Sequence, residues 1–400
     1  MGGLSKMIKG DPVIWVMVLL LSVVGLIEVY SCTSMISYKY QEGNTFFYPL
    51  KHLLFVLMGF GAMFIFSMIS YKKYIKHANW LMVAGLILLF ATFFSGNTTN
   101  DAKRWITIPL IGLSFQPSDL VKIILVLYLS KMLALAHVEP ENQNKYFMWC
   151  IAAIGGVCLL VLPSNFSTAA LIGMSGFGML VLGKLPRKWR WGMIGLAIAG
   201  FVLFVLFAKI THVHTRFDTW VVRMETFFSG GSAQGNDFQS EQSLVAIGLG
   251  GLKGVGIGNG IQNNSLPHPY SDFIFSTIAH EMGIVGVLFV VGFYMVLFYR
   301  CVMVVKNAET LFPALFVMGL LMNIMLQALA NMLVAIGFMP VTGQPLPFVS
   351  MGGTSIICTG IAVGMILNIS RYSGKKETVA EIEEDVQEEE EIIDYPFMAG

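Results

Sequence analysis

Ten blocks of apolar residues alternate along the chain with short polar or Pro/Gly-rich breaks. They lie near 13–32, 49–69, 78–95, 118–137, 146–162, 165–183, 191–208, 274–300, 311–337 and 350–370. A bilayer core takes about 20 helical residues, with roughly 17 to 25 tolerated. Each block therefore reads as a spanning helix. Only Pro163–Asn165 parts the fifth from the sixth, so the pattern gives nine or ten spans. The first block follows Lys6 and Lys9 as a signal peptide would, but it is too long for an h-region and no small-residue cleavage motif follows. It reads as retained.

The expected fold is an all-α polytopic membrane protein of about ten helices. One membrane domain covers 13–372, between a short N-terminus (1–12) and a C-terminal tail (373–400). A large loop, 209–273, joins the seventh and eighth spans.

Composition agrees: 56% of residues are apolar and 12% charged, with a mean hydropathy of +0.71. Soluble domains carry about a quarter charged residues. Net charge is +1, yet ten carboxylates and no base lie between Glu377 and the C-terminus. Setting those ten aside leaves 25 basic against 14 acidic residues on the body, a net of +11. The tail is too charged to pack and reads as a solvated, disordered segment, or as a docking tail for a basic partner. The five cysteines sit in or beside apolar runs without a CxxC pair, as small core residues do.

With the N-terminus inside, sixteen Lys and Arg fall on the cytoplasmic side and eight on the other, while Lys122 lies within a span. Cytoplasmic segments are the basic ones. Ten spans then place both termini in the cytoplasm and the 96–117, 209–273 and 338–349 loops outside.

Four constellations on that outer side could carry chemistry. Arg104-Trp105 precedes Gln116-Pro117-Ser118-Asp119 and Lys122, and residues three apart share a helix face. Two readings stand for Asp119 and Lys122: a neutralising ion pair that fixes packing, or a cation poised for an anionic substrate. The long loop brings Arg216, Arg223, Gln242 and a glycine-rich run, 248–260. No strand precedes that run, so a tight loop fits better than a nucleotide site.

Third comes Leu266 to Phe275, in which Ser271-Asp272 opens the eighth span. Asp272 reads either as a helix cap or as a carboxylate partly buried and usable as a general base. His280-Glu281 lacks the second histidine of a zinc helix. Last, residues 340–355 hold Pro340, Pro345, Pro347, Ser350, Gly352, Gly353 and Ser355 in an apolar stretch. Helix is forbidden there, and non-helical backbone at membrane depth must be buried in protein or line a cavity.

These four blocks, in this order, resemble the SEDS family of bacterial cell-wall glycosyltransferases, the FtsW and RodA proteins. The likeness runs over about 12–372 and is most specific at 340–355, 266–275 and 104–122. It implies a ten-helix fold that polymerises lipid II at the outer face of the cytoplasmic membrane. The family's catalytic Asp corresponds to Asp272, which by analogy deprotonates the acceptor 4-hydroxyl so that it attacks the donor's anomeric carbon with inversion. Cations must then stabilise the leaving undecaprenyl pyrophosphate. Arg104, Lys122, Arg216 and Arg223 are the candidates, and a divalent cation (Mg or Mn) is compatible with that role. A single-pass class B penicillin-binding protein transpeptidase is the partner the resemblance implies; nucleic acid is not expected.

This sequence departs from the family where Pro267-His268-Pro269-Tyr270-Ser271-Asp272 stands for Pro-Glu-Ala-His-Thr-Asp, where Pro163-Ser164-Asn165-Phe166-Ser167 loses a carboxylate, and where Met351 replaces a Tyr. The glycine run at 251–260 and the charged tail place it nearer the division branch, FtsW, than the elongation branch, RodA. Two other functions compete: a flippase for the lipid-linked precursor, which needs a polar path to both faces, and a non-catalytic scaffold for a transpeptidase, which needs no carboxylate among cations.

Overall fold

The computed structural model describes residues 10–40, 44–95, 97–99, 102–107, 114–184, 186, 189, 192, 195, 236–260, 266 and 269–372. Its helices are α1 (Pro12–Tyr40), α2 (Phe47–Met68), α3 (Tyr71–Ser95), α4 (Pro117–Val138), α5 (Gln143–Val161), α6 (Phe166–Leu182), α7 (Asn236–Gly250), α8 (Ile274–Lys306), α9 (Leu311–Ala335) and α10 (Thr354–Tyr372). Eight are long and apolar enough to cross a membrane, and α6 is a shorter apolar helix. The chain is a multi-pass membrane protein. Apart from residues 192 and 195, the expected span at 191–208 lies outside the described residues, as does the acidic tail.

The helices follow the apolar blocks with informative differences. α1 continues to Tyr40, well past the expected end at 32, and α3 starts at Tyr71, seven residues early, because Lys72, Lys73 and Lys76 add a charged turn that can snorkel. The blocks at 146–162 and 165–183 are two helices. Asn165 separates them by accepting a bond from the Thr168 amide at 3.2 Å, which caps α6. Two elements fall inside expected loops. β1 (Asn97–Thr99), β2 (Ala102–Thr107) and β3 (Ser114–Phe115) form a small antiparallel sheet, and α7 occupies part of the long loop.

Helices α4, α9 and α10 are the most enclosed, each with more than half of its span buried, whereas α1, α2, α3 and α8 present broad apolar faces outward. Lipid is as apolar as leucine, so the helices are held by close packing instead of by a hydrophobic gradient. Gly360 and Gly364 supply that on α10: a Cβ on Gly360 would strike the Gly59 carbonyl of α2, and one on Gly364 the Met63 carbonyl. Gly360→Leu should therefore pry α10 from α2 at a cost of about 1–3 kcal/mol. Thermal unfolding in detergent checks this; an unchanged midpoint would refute the close-packed seam.

At one end of the bundle Asp11 clamps three helices. Its Oδ1 accepts from the Val13 amide at 2.8 Å, its Oδ2 from Arg300 Nε at 2.8 Å, and its own amide donates to Ser370 Oγ at 3.0 Å. At the other end α8 is broken. Gly283 has φ of 66° inside the helix, and the glycine loop fills the breach. Val255 and Gly256 amides donate to the His280 and Glu281 carbonyls, both at 3.0 Å, and the Ile284 amide donates to the Gly251 carbonyl at 3.0 Å. Glycine is required where backbones meet this closely: a Cβ on Gly254 or Gly283 would overlap the other strand of the clasp. The glycine run is thus a helix splint, in keeping with a tight loop.

Candidate functional site

The proline-glycine segment 340–353 is non-helical and buried, with Leu346, Phe348, Val349 and Ser350 all at or below 2% exposure. Such a segment must find donors for its carbonyls among neighbouring groups. It does so four times in a row. The Gln344 carbonyl accepts from Asn331 Nδ2 at 2.8 Å and that of Pro345 from Gln327 Nε2 at 2.9 Å. The Leu346 carbonyl accepts from the Ser350 amide at 2.9 Å, and Pro347 from the Tyr294 hydroxyl. Phe348 sits at φ of 63°, a region bulky residues avoid, held there by this surrounding network.

The turn before α8 is pinned to the same wall. The Tyr270 carbonyl accepts from the Met351 amide at 2.9 Å, that of Ser271 from Ser350 Oγ at 2.6 Å, and that of Asp272 from Asn331 Nδ2 at 2.9 Å. Asn331 therefore bridges the backbones of Asp272 and Gln344. The Asp272 carboxylate faces a wall residue without a side chain: its Oδ2 is 3.7 Å from where a Cβ on Gly343 would stand. Tyr270 stacks on Tyr48, centroids 6.4 Å apart. Burial, then Tyr48, the Asp272 carboxylate and Cys32, push its phenol above the usual range, so it stays neutral at physiological pH.

Asp119 and Lys122 form the expected pair, Nζ to Oδ1 2.8 Å, with both side chains 10% exposed. Lys122 also donates to Gln327 Oε1 at 3.3 Å, so the ion pair reaches the Pro345 carbonyl through one amide. A recess beside it is lined by Asp119, Lys122, Asn323, Gln327, Pro347 and Ser355. The buried Asn323 Nδ2 there has no hydrogen-bond partner.

The remaining sequence candidates divide. Ser271, Ser350, Pro345 and Pro347 belong to the wall and the pinned turn, while Gly352 lets its backbone pack on Pro345, and Gly353 turns the chain into α10 at φ of 53°. Gln116 donates to Ser118 Oγ at 2.8 Å at the start of α4, and half-buried Trp105 lies on β2. Gln242 is on α7, whose Ser243 hydroxyl donates to the Ala335 carbonyl at 2.6 Å. Arg216 and Arg223 lie outside the described residues, as does the side chain of Arg104.

Sequence reasoning missed Asn323, Gln327 and Asn331. They recur every fourth residue and so form one polar stripe on apolar α9; that periodicity was the available signal. Asn331→Leu would leave the Asp272 and Gln344 carbonyls without this donor, at about 1–3 kcal/mol for each orphaned group. The expected result is a lower unfolding midpoint, read by scanning fluorimetry; wild-type stability would show that the bridge contributes nothing.

A family model described as "Cell cycle protein", covering FtsW, RodA and SpoVE, matches residues 11–375. The chain is 31% identical over 366 residues to a probable peptidoglycan glycosyltransferase FtsW of Coxiella burnetii, spanning 89% of this chain and 95% of that one. It is 30% identical over 377 residues to stage V sporulation protein E of Bacillus subtilis, spanning 92% and 99%. Among solved structures, Thermus thermophilus rod shape determining protein RodA shares the fold with a TM-score of 0.66 at 23% identity, over 92% of this chain and 98% of that one. A chain from a peptidoglycan synthase complex gives 0.70 at 23% identity, over 92% and 99%.

Proposed function

The chain belongs to the FtsW/RodA/SpoVE family of cell cycle proteins, and on that premise we propose the chemistry its site performs. It is a membrane-embedded peptidoglycan glycosyltransferase of the FtsW kind. Asp272 is the general base. Its carboxylate removes the proton from the acceptor sugar's 4-hydroxyl while that oxygen attacks the anomeric carbon of the lipid-linked donor. The new glycosidic bond forms as the bond from the anomeric carbon to the pyrophosphate breaks. Undecaprenyl pyrophosphate leaves with the electron pair, and configuration inverts.

One observation carries the assignment. Asp272 is the carboxylate whose backbone is fastened to the proline-glycine wall, with its side chain facing Gly343. A base must be held within hydrogen-bond reach of the proton it takes, and the bond from Asn331 to the Asp272 carbonyl helps to set that position. Lys122 is less suited to the pyrophosphate than its charge implies, being occupied by Asp119 and Gln327. Arg104, Arg216 and Arg223 remain the proposed cations for the leaving group.

The active face is proposed to be the outer one, with both termini cytoplasmic. A single-pass class B penicillin-binding protein is the proposed partner, supported by the fold shared with a chain of a peptidoglycan synthase complex. The test is glycan polymerisation from labelled lipid II by the purified protein, with and without that transpeptidase. Strands longer than the starting disaccharide are expected. Transport of lipid II in vesicles with no strands under either condition would replace this reading with a flippase.

A further inference from the structure

Glu28 is the least explained charge in the molecule. It sits within α1, fully buried, and neither carboxylate oxygen has a hydrogen-bond partner. An ionised carboxylate left dry and unpaired is among the costliest things a membrane helix can bury, so such residues usually mark a ligand or a relay.

Its surroundings form a second polar corner. Three residues on, along the same face of α1, the Ser31 hydroxyl donates to Glu281 Oε1 at 2.5 Å. The Gly258 amide, from the glycine loop that splints α8, donates to Glu281 Oε2 at 3.0 Å and also reaches Ser31 Oγ at 3.2 Å. Glu281 therefore has hydrogen bonds to its oxygens where Glu28 has none, and the Ser31 bond sets Glu281 against the face of α1 that carries Glu28. Gly258 is exposed and Ser31 half-buried, which opens the corner to solvent at the Asp272 end.

From this we infer that Glu28 and Glu281 bind one divalent cation of the magnesium or manganese type, which ties α1 to the outer half of α8 and its glycine loop. A single shared proton would satisfy one oxygen of Glu28 and leave the other dry. A cation between the carboxylates satisfies both and cancels both charges. Among the described residues no group of three or more His, Cys, Asp or Glu gathers anywhere, so the rest of the coordination sphere is Ser31 Oγ, backbone carbonyl and water. That suits Mg²⁺, which keeps several waters and needs only one or two carboxylates. The site is separate from the Asp272 chemistry and does not rest on the polymerase reading.

Manganese titration of the full-length protein in detergent, after chelator treatment, tests it by the paramagnetic resonance signal of free Mn²⁺. One Mn²⁺ per chain is expected, displaced by Mg²⁺. Glu28→Gln and Glu28→Met should each weaken binding about tenfold or more, while Asp272→Asn leaves it unchanged. Glu28→Met removes the buried polar group as well as the charge, so it is expected to fold even if the amide variant does not. Absence of binding in the wild type overturns the proposal, as does Mn²⁺ held equally by Glu28→Met. Binding lost only in Asp272→Asn would move the ion to the transfer site and overturn it equally.

Discussion

Asp272→Asn is expected to stop glycan polymerisation while leaving the protein folded. A positioned general base supplies about 10²–10⁴-fold, and an amide cannot take the hydroxyl proton. The fold is expected to survive because the bonds that fix this turn use its carbonyls: Asn331 to Asp272, Ser350 to Ser271 and Met351 to Tyr270. None of these three involves the Asp272 carboxylate. Lipid II affinity should stay near wild type, so the loss falls on kcat and not on KM. Asp272→Glu pushes the carboxyl group one methylene further and should keep a small residual rate. Quantifying strands from labelled lipid II decides the matter: wild-type rates from a well-folded Asp272→Asn would remove Asp272 from the mechanism.

The second large effect is at the buried ion pair. Lys122→Met should destabilise the protein by about 3–5 kcal/mol, because the Asp119 carboxylate is left buried with this charge partner gone. The double variant Asp119→Leu/Lys122→Met removes both charges and should regain most of that stability. Its activity separates the two roles that the sequence leaves open. Lys122 also holds Gln327, which holds the Pro345 carbonyl, so a stable double variant is expected to polymerise slowly because the wall has lost one tether. A double variant as stable and as active as the wild type would show the pair to be packing alone. A double variant no more stable than Lys122→Met would show that the ion pair was not the source of the loss.

Much of this architecture was legible because membrane helices announce themselves by length and apolarity. The block at 118–137 became α4 at Pro117–Val138, and the turn at Pro163–Asn165 became a capped helix break. The small sheet and α7 were not legible: strands of two to six residues and a polar, glycine-flanked helix give no sustained period to detect. Asp272 and the proline-glycine wall could be placed on one side from topology, but not fastened to each other, since pairing between residues some 70 apart leaves no local pattern. Asn331, which makes that connection, belongs to a polar stripe with Asn323 and Gln327, a spacing that could be read from the sequence but that does not say which backbone the stripe meets. Glu28 escaped for the same reason: a lone carboxylate in an apolar run does not announce that Ser31 and Glu281 stand beside it.

The wall also says something about how the molecule comes into being. Of its four consecutive carbonyls, only that of Leu346 is met by a neighbour in the wall itself; Asn331 and Gln327 come from α9, and Tyr294 from α8. Residues 344–347 therefore cannot take shape as a local motif while the chain is being inserted. They acquire their form only once α8 and α9 stand in place around them, so the wall beside Asp272 is a late product of assembly, and on the proposed mechanism an incompletely assembled bundle would lack its site.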